Sequence, residues 1–484
     1  MRDNRGGSPG GGAPRTAGGG GPRLRTVLKF GGTSVASPAA LEKVGEIVKG
    51  VEGERVVVVS ATAGTTDALV GAARDAERGD AQKAEQQIGE LAEAHKNLAA
   101  DTLGFSSGEV LKEVGDLTER TIALLQSVAI LRECTARTRD AIVAYGERVS
   151  APIVAAVLEA KGVKAEALSA EGLVITDDAF GQANPSLEET RARAAKELIP
   201  RLAIGVTPVV TGFIGSTPEG VTTTLGRGAS DYSAGVLAAA IDASELRIYT
   251  DVSGVMSADP RVVKGAKPLG SLSYAEAAEL SYFGAKVIHP RAVLPAVERG
   301  IPVRILNTFV PEHPGTTITT DTPRDGSVVK ATTSIGDLGL ITVQGAGMSG
   351  IPGFAARVFD TTAAERVSVM MISQASSENS ICLVVDAAST DRLKSALERM
   401  FSAELRRHDV ERVSIERPVA IVAAVGEGMR GTPGVAARVF GALGKAGVNV
   451  VAIAQGSSEL NISLVVAEKD REAAVRLIHE EFHR

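Results

Sequence analysis

Short apolar runs alternate with helical patterns over residues 26–308. Because the runs are mostly apolar, and the one at 56–59 is apolar at every position, they predict strands that are buried on both faces of a sheet. The predicted strands are 27–30, 56–59, 208–214 and 246–250. Helical periodicity follows the first strand and dominates residues 82–145. This alternation predicts an α/β domain with a mainly parallel central sheet and helices on both faces.

The last part of the chain contains an internal duplication. The segment GMSGIPGFAARVF at 347–359 recurs as GMRGTPGVAARVF at 428–440, and ISQASSE at 372–378 recurs as IAQGSSE at 453–459. The offsets 428 − 347 and 453 − 372 are both 81 residues, with no slippage between the two blocks. A constant offset indicates two copies of one strand–loop–helix–strand unit.

Composition suggests where the domains begin and end. Residues 1–25 are rich in Gly, Pro and Arg without apolar periodicity, so they are predicted to form a disordered tail. The α/β domain is predicted over 26–310, and a Pro-rich linker over 311–334. The two repeated units are predicted over 335–412 and 413–484.

Overall composition excludes several classes of protein. The net charge of −6 and the 3% aromatic content argue against a nucleic-acid binder. No apolar run approaches the roughly 18–20 residues of a membrane span, so no membrane contact is expected. The two cysteines, Cys134 and Cys382, indicate no disulfide framework and fit a reducing compartment, hence a cytoplasmic protein.

The first motif with candidate chemistry is the sequence KFGGTS at 29–34, between the first strand and the first helix. Gly31 and Gly32 allow close backbone approach to phosphate oxygens, and Lys29 adds a positive charge. A plain strand-to-helix turn explains the same residues about equally well, since Gly-Gly turns are common.

The second motif is the sequence GRGASD at 226–231, before an Ala-rich helix. Arg227, flanked by glycines, can reach from a loop and grip a carboxylate through two hydrogen bonds. Ser230 or Asp231 is alternatively the N-cap of the helix that follows. The two interpretations are compatible, because a capping residue also faces the cleft.

Two further motifs follow the strand at 246–250. Thr250, Asp251 and Arg261 lie where open α/β sheets bind ligands, although a solvated turn would have similar residues.

Ser273 and Glu276 form a capping-box pattern that opens a helix ending near Gly284. Lys286 follows this helix and could reach a nucleotide; the alternative is that it is an ordinary exposed lysine. His289 is a lone histidine, and such residues are more often structural than metal ligands.

The repeated units also carry the pattern G-x-G-x-x-G, at Gly345–Gly350 and Gly426–Gly431. This pattern occurs in dinucleotide-binding domains, but units of about eighty residues are too short for such a domain. The internal duplication explains the occurrence of the G-x-G-x-x-G pattern better than a dinucleotide-binding domain does. A P-loop sequence is missing from the chain, which disfavours a P-loop NTPase.

Taken in order, these motifs resemble the aspartate kinases. The similarity includes KFGGTSV at 29–35, SATAGTTD at 60–67, GERVS at 146–150, GRGASD at 226–231, TDVSGV at 250–255, DPR at 259–261 and FGAK at 283–286. The resemblance implies an amino-acid-kinase fold followed by two ACT domains of βαββαβ topology. It also implies ATP and Mg²⁺ as cofactors, and phosphorylation of L-aspartate as the first step towards lysine, threonine and methionine.

The resemblance further assigns roles to individual positions. The implied catalytic residues are Lys29, Lys286 and Asp231; the ATP contacts are Lys29, Gly31, Gly32, Thr250, Asp251, Met256, Arg261 and Lys286; the aspartate contacts are Ser60, Thr66, Glu147, Arg227 and Ser230. No resident metal site is implied. Three positions depart from the family pattern: Ala229 replaces a usual glycine, Thr62 a methionine or small residue, and Met256 a tyrosine near the nucleotide.

The repeated units most resemble the regulatory part of bifunctional aspartate kinase–homoserine dehydrogenases. Gln374 and Gln455 match glutamines associated with threonine binding there, and the implied effector contacts are Met348, Gly350, Gly353, Val369, Gln374 and Gln455. The chain ends at Arg484, so no dehydrogenase is expected. Threonine is the expected effector, with lysine as the alternative, and pairing of ACT units favours a homodimer or homotetramer.

Two other functions fit parts of the sequence. One is a related kinase of the same fold, acting on glutamate or uridylate, which Glu147, Arg227 and the ACT units disfavour. The other is a non-catalytic amino-acid sensor built on an inactive kinase scaffold, which the intact Lys29, Asp251, Arg261 and Lys286 disfavour.

Overall fold

The computed structural model describes residues 24–226, 228–284, 288–320 and 326–483. Nearly all of the predicted tail 1–25 lies outside these ranges. Arg227 and Lys286, predicted to bind aspartate and ATP, also lie outside them.

The described residues of the first part of the chain form ten strands. They are β1 (Arg25–Phe30), β2 (Glu54–Val59), β3 (Ala165–Leu168), β4 (Thr207–Thr211), β5 (Ile214–Ser216), β6 (Thr222–Thr224), β7 (Glu245–Thr250), β8 (Ser271–Ser273), β9 (Val303–Asn307) and β10 (Thr316–Thr319). Eight of them form one sheet in the order β3-β4-β2-β1-β7-β9-β10-β8. Only the β9–β10 pairing is antiparallel, which confirms the predicted mainly parallel sheet.

Helices cover both faces of this sheet. They are α1 (Pro38–Lys49), α2 (Thr65–Glu77), α3 (Ala81–Leu103), α4 (Gly108–Leu131), α5 (Ala136–Val143), α6 (Tyr145–Ala160), α7 (Leu187–Ala203), α8 (Ala229–Ala240), α9 (Tyr274–Tyr282) and α10 (Pro290–Glu298). Alternate residues of β1 and β2 face opposite cores. Val27 and Val56 pack with α7 and α8, whereas Leu28 and Val57 pack with α1 to α4 and α6. Burial on both faces is why these strands contain consecutive apolar residues, such as Val56–Val59 of β2.

Local signals fix the starts of two helices, of which the one at Ser273 was predicted. The side chain of Ser273 accepts a hydrogen bond from Glu276 N, and Glu276 Oε2 accepts one from Ser273 N, so the predicted capping box is present. At α1, Ser37 Oγ accepts a hydrogen bond from Ala40 N and Pro38 occupies the first turn. Both arrangements satisfy backbone groups that the helix itself leaves unpaired.

The predicted strand 208–214 is wrong in one respect. The chain leaves the main sheet after Thr211 and continues as β5, which pairs with β6 in a separate two-stranded sheet and forms a bridge to Ile175. The break falls at Gly212 and Phe213, and Phe213 adopts a left-handed backbone conformation with φ of 66°. An apolar run does not reveal such a turn, since both strands are fully buried.

The second part of the chain forms a six-stranded antiparallel sheet with helices on one side. Its strands are β11 (Ala331–Gln344), β12 (Met371–Gln374), β13 (Ser380–Asp386), β14 (Arg412–Val425), β15 (Ala452–Ala454) and β16 (Asn461–Ala467), in the order β12-β13-β11-β14-β16-β15. The helices are α11 (Phe354–Ala364), α12 (Thr390–Met400), α13 (Ser402–Arg407), α14 (Val435–Lys445) and α15 (Arg471–His483). Corresponding elements of the two units begin at the predicted offset, as at Phe354 and Val435.

The two repeated units share their long strands. The first half of β11 pairs with the second half of β14, and the second half of β11 pairs with β13 and with the first half of β14. The predicted linker 311–334 therefore contains β10 and the start of β11. In strand order, β12, β13 and β11 of the first unit form one half of the sheet, and β14, β16 and β15 of the second unit form the other.

The two parts of the chain meet through buried polar contacts. The ammonium of Lys330 lies 3.1 Å from Glu276 Oε2, and the two side chains are 5% and 0% exposed. Glu276 Oε1 also accepts a hydrogen bond from Glu427 N in the second repeated unit. One carboxylate thus joins α9 of the first part to two segments of the second.

One helical stretch, Ala136–Ala160, has the length and composition of a membrane span. Because 83% of its most apolar window is buried inside the protein, it behaves as a core helix.

Candidate active site

Lys29 and Asp231 meet at the carboxyl edge of the main sheet. Lys29 is the penultimate residue of β1, and its Nζ lies 2.6 Å from Asp231 Oδ1 in the first turn of α8. The two groups form an ion pair without the alignment of a hydrogen bond, since Oδ1 has no hydrogen-bond partner among the described residues. Because Lys29 is buried, water screens its charge only weakly, and the charge acts mainly at this edge of the sheet.

The loop after β1 is held against its neighbours by short backbone contacts. Gly31 N donates a hydrogen bond to Tyr249 O, and Ala63 N donates one to Gly32 O. A methyl group added at Gly32 would lie 2.8 Å from Ala61 O, so a larger residue does not fit. The KFGGTS segment therefore lies against the end of β7 and against the loop after β2. A phosphate-binding edge requires such close approach of backbone segments.

The loop after β2 carries Ser60 and Thr66. Ser60 N donates to Phe30 O, and Gly64 has φ of 83° at the start of α2. Behind the loop, Thr62 Oγ1 lies 2.6 Å from Thr65 Oγ1 and 2.9 Å from His95 Nε2. Burial lowers the pKa of His95, so the neutral ring holds this network.

Glu147 lies in the first turn of α6 and is buried beneath the same loop. Its Oε1 accepts a hydrogen bond from Ala61 N at 3.1 Å, whereas Oε2 has no partner in the described part of the chain. Burial raises the pKa of Glu147 to about 8, and the nearby charge of Lys29 partly opposes this rise. A buried carboxyl with a free oxygen suits a cationic ligand group.

The start of α8 differs from the prediction. Its N-cap is Gly228, with φ of 68°, so the prediction of Ser230 or Asp231 as the cap is wrong. Both residues lie within the first turn, where Asp231 faces Lys29. Ser230 packs against Gly212: a methyl group there would lie 3.0 Å from Ser230 Oγ. Left-handed backbone explains the choice of glycine at 228, because other residues are strained there.

Besides Lys29, Gly31 and Gly32, the described residues predicted to bind ATP occupy two places. Thr250 ends β7 and Asp251 follows it, and Thr250 Oγ1 donates to Asp251 Oδ1. Met256 and Arg261 lie further along and line a cavity of about 760 Å³. Arg261 Nη2 contacts Asp259 Oδ2 at 2.7 Å, and this hydrogen bond lowers the pKa of Asp259. The described residues contain no group of three or more His, Cys, Asp or Glu that could hold a metal ion.

Two family models match this chain. That of the amino acid kinase family covers residues 24–307, and that of the ACT domain covers 341–401 and 422–482. Lysine-sensitive aspartokinase 3 of Escherichia coli (strain K12) is 35% identical over 459 residues, which are 94% of this chain and 98% of that protein. The chain belongs to the aspartokinase family.

Other aspartokinases support the assignment. The chain is 38% identical to a chloroplastic bifunctional aspartokinase/homoserine dehydrogenase 1 of Arabidopsis thaliana over 94% of this chain, and spans about half (51%) of that protein's length. The crystal structure of E. coli aspartokinase III in complex with aspartate and ADP has a TM-score of 0.79 and 33% identity. That match covers 95% of this chain and 100% of that one.

The ACT part of the chain contains a cavity of about 330 Å³ in its first unit. Four predicted effector contacts line it: Met348, Gly350, Gly353 and Gln374. Val369 and Gln455 do not line it. Glu378, which was not predicted, also lines the cavity, and its Oε2 accepts a hydrogen bond from Gly350 N. Glu459 makes the same contact with Gly431 N in the second unit, 81 residues later.

The G-x-G-x-x-G pattern has a packing role in this fold. A methyl group at Gly345 would lie 2.2 Å from Asp409 O, and one at Gly428 would lie 2.2 Å from Ser327 O. These glycines allow two backbone segments to touch, which agrees with the rejection of a dinucleotide-binding function.

Three residues near the site were not found from the sequence. Phe213 has strained left-handed backbone at the edge of the sheet, a feature common at binding sites. His95 supports the loop that carries Ser60 and Thr66. Asp140 is buried and accepts hydrogen bonds from Gly181 N and Thr224 N, which fixes the strand before Gly226. A polar residue within an apolar helical pattern was the available signal for His95 and Asp140.

Proposed function

We propose that this protein transfers the γ-phosphoryl group of ATP to the side-chain carboxylate of L-aspartate, giving ADP and 4-phospho-L-aspartate. The observation that carries the proposal is the buried Glu147, whose free oxygen lies at the same sheet edge as the Lys29–Asp231 pair. The free oxygen of Glu147 suits a substrate ammonium, and the ammonium of Lys29 suits the negative charge of the phosphates. The aspartate and ADP bound by E. coli aspartokinase III support the same chemistry here.

Substrate binding would use both ends of the amino acid. Glu147 would pair with the α-ammonium, and Arg227 with the α-carboxylate. Ser60, Thr66 and Ser230 would donate hydrogen bonds from the loop after β2 and the start of α8. The side-chain carboxylate would then be directed towards the nucleotide, so that most of the catalysis is positioning.

Phosphoryl transfer needs little proton chemistry. The aspartate carboxylate is already ionised at neutral pH, so no strong general base is required. One of its oxygens would bond to the γ-phosphorus as the bond from phosphorus to the bridging oxygen breaks, and ADP leaves with the electron pair. Lys29, Lys286 and the amide of Gly32 would offset the repulsion between the two anions, whereas the Gly31 amide already donates its hydrogen bond to Tyr249 O.

Magnesium would add to this charge neutralisation. Because the described residues form no cluster of metal ligands, they suit an ion that arrives bound to the triphosphate rather than one held by the protein alone.

The cavity in the first ACT unit is the proposed effector site. Threonine is the proposed effector because Gln374 lines the cavity. Lysine is the alternative, since the E. coli relative is lysine-sensitive. Binding would bias the kinase between active and inactive arrangements, with coupling of about 1–3 kcal/mol. We further propose a cytoplasmic homodimer or homotetramer that feeds lysine, threonine and methionine synthesis.

A direct assay tests the function. Purified protein with ATP, Mg²⁺ and L-aspartate should release ADP and yield an acyl phosphate that hydroxylamine traps. Glutamate and uridylate in place of aspartate should give neither product. Turnover with one of them instead would indicate a different kinase, and no turnover with any acceptor would indicate a non-catalytic sensor. Separate titrations of threonine and lysine into this assay identify the effector.

A further inference from the structure

A buried histidine lies behind the loop after β2. His95 belongs to α3 and is 2% exposed, and its ring packs edge-on against Tyr145 with the ring centroids 6.0 Å apart. Tyr145 begins α6, the helix whose first turn carries Glu147. The ring of His95 therefore borders two structures that hold proposed aspartate contacts: the loop that leads from Ser60 to Thr66, and the start of α6.

The hydrogen bonds of His95 have a fixed direction. Leu91 O can only accept, so the Nδ1 atom, 2.7 Å away, carries the proton. Nε2 of the neutral ring is then the acceptor, and the hydroxyl of Thr62 donates to it at 2.9 Å. Thr62 Oγ1 in turn accepts from the hydroxyl of Thr65 at 2.6 Å. Burial lowers the pKa of His95, which keeps the ring neutral and preserves this direction.

This series of hydrogen bonds holds the turn between β2 and α2. Thr65 N donates to Thr62 O, and Gly64 between them has left-handed backbone with φ of 83°. Thr65 is 2% exposed and is the first residue of α2, immediately before Thr66. Because the two hydroxyls are anchored to His95, the ring fixes where α2 begins and where Thr66 lies.

The same turn packs closely against α6. A methyl group added at Gly146 would lie 2.6 Å from Ala61 Cβ and 3.1 Å from Thr65 Cγ2. Ala61 N also donates a hydrogen bond to Glu147 Oε1 at 3.1 Å. Because close-packed interiors transmit small displacements, a shift of the turn would also move the carboxyl of Glu147.

We propose that His95 is a positioning residue for the amino-acid substrate and acts through the hydroxyl of Thr62. It holds the turn before Thr66 and, through that turn, the carboxyl of Glu147. The inference rests on the proposed function, because it concerns the aspartate site named there. Lys29 lies on β1 within the main sheet, so the phosphate edge has support that does not pass through His95. The effect should therefore fall on aspartate rather than on ATP.

Steady-state kinetics of the full chain test this proposal. Thr62→Val keeps the shape of the side chain but removes the hydroxyl. It should raise the aspartate KM about three- to tenfold and change the ATP KM and kcat by less than about twofold. Thr62→Ser keeps a hydroxyl and should retain the wild-type aspartate KM. Thr102→Val removes a hydroxyl that donates to Leu98 O on the same helix as His95, and it should leave all three constants unchanged.

His95→Phe tests the same contact from the other side, because it removes both ring nitrogens. It should raise the aspartate KM by a similar factor. The double variant with Thr62→Val should be no worse than the more severe single variant, since both changes break one series of hydrogen bonds. Thermal unfolding checks that each variant is folded at the assay temperature. If His95→Phe is unfolded, the comparison of Thr62→Val with Thr62→Ser decides.

Three results would overturn the proposal: a wild-type aspartate KM in Thr62→Val, a parallel rise of the ATP KM, or effects of the two changes that multiply in the double variant. Each of them, obtained with a wild-type protein that phosphorylates aspartate, would leave the proposed function standing. A wild-type protein that does not turn over aspartate would instead remove the proposed function, and the inference with it.

Discussion

At the scale of single residues, the pKa of Glu147 makes aspartate binding depend on pH. Its carboxyl has a pKa of about 8 and is protonated below that value in the free protein. Pairing with a substrate ammonium requires the ionised form. Apparent aspartate affinity should therefore rise about tenfold per pH unit on approaching pH 8, and level off above it.

This dependence is measured as the aspartate KM from about pH 6 to about pH 9. Glu147→Gln should raise the KM and abolish its dependence on pH, while Glu159→Gln, exposed on the same helix, should behave as wild type. A wild-type KM that is flat across this range would contradict the assigned role.

Lys29 carries the second prediction at this scale. Its buried ammonium is paired with Asp231, and in the proposed reaction it also offsets charge on the transferred phosphoryl group. Lys29→Ala should lower kcat by about 10²–10³. Lys49→Ala, an exposed lysine at the end of α1, serves as the control in the same assay. Near-normal turnover of Lys29→Ala would exclude Lys29 from catalysis.

At the scale of elements, the loops after β1 and β2 depend on a close backbone approach. A methyl group at Gly32 would meet Ala61 O at 2.8 Å, and the backbone there cannot yield without moving both loops. Gly32→Ala should lower the free energy of unfolding by about 1–3 kcal/mol and raise the ATP KM.

Gly71 within α2 provides the matched control. No atom lies within 4 Å of a methyl group added there. Gly71→Ala should therefore stabilise the protein by about 0.5–1 kcal/mol, since alanine favours helix. Denaturant unfolding measures both variants, and equal effects of the two would show that contact at Gly32 is unimportant.

At the scale of the whole molecule, the buried Glu276–Lys330 pair joins the kinase and ACT parts. Glu276→Gln leaves the buried Lys330 ammonium without its counter-charge. Loss of one partner of a buried pair costs about 3–5 kcal/mol of stability. The same change should weaken the effector response, because Glu276 also accepts a hydrogen bond from Glu427 N.

Thermal unfolding and effector titration together measure this variant. Lys394→Met, which breaks an exposed pair with Glu398, should cost no more than about 0.5 kcal/mol and keep the response. If Glu276→Gln retained full stability, the two parts of the molecule would be coupled elsewhere.

Local and periodic features could be read from the sequence. The strands β1, β2 and β7, the capping box at Ser273 and the constant offset of the repeats all arise from residues close together in the chain. Burial on both faces imposes apolar runs, and cap geometry imposes Ser and Glu at fixed spacing. The glycines at 31 and 32 marked a turn in the sequence, and the structure shows that close backbone contact requires glycine at Gly32.

Only the tertiary structure decided which of these groups act together. The pKa of Glu147 is raised by its burial, which the hydrogen bond from Ala61 N partly opposes, and the pairing of Lys29 with Asp231 depends on the sheet order. The turn at Phe213, the pairing of β11 with β14, and the cavity lined by Met256 and Arg261 likewise have no local signature. Desolvation and packing are set by residues distant in sequence, so a pattern along the chain cannot specify them.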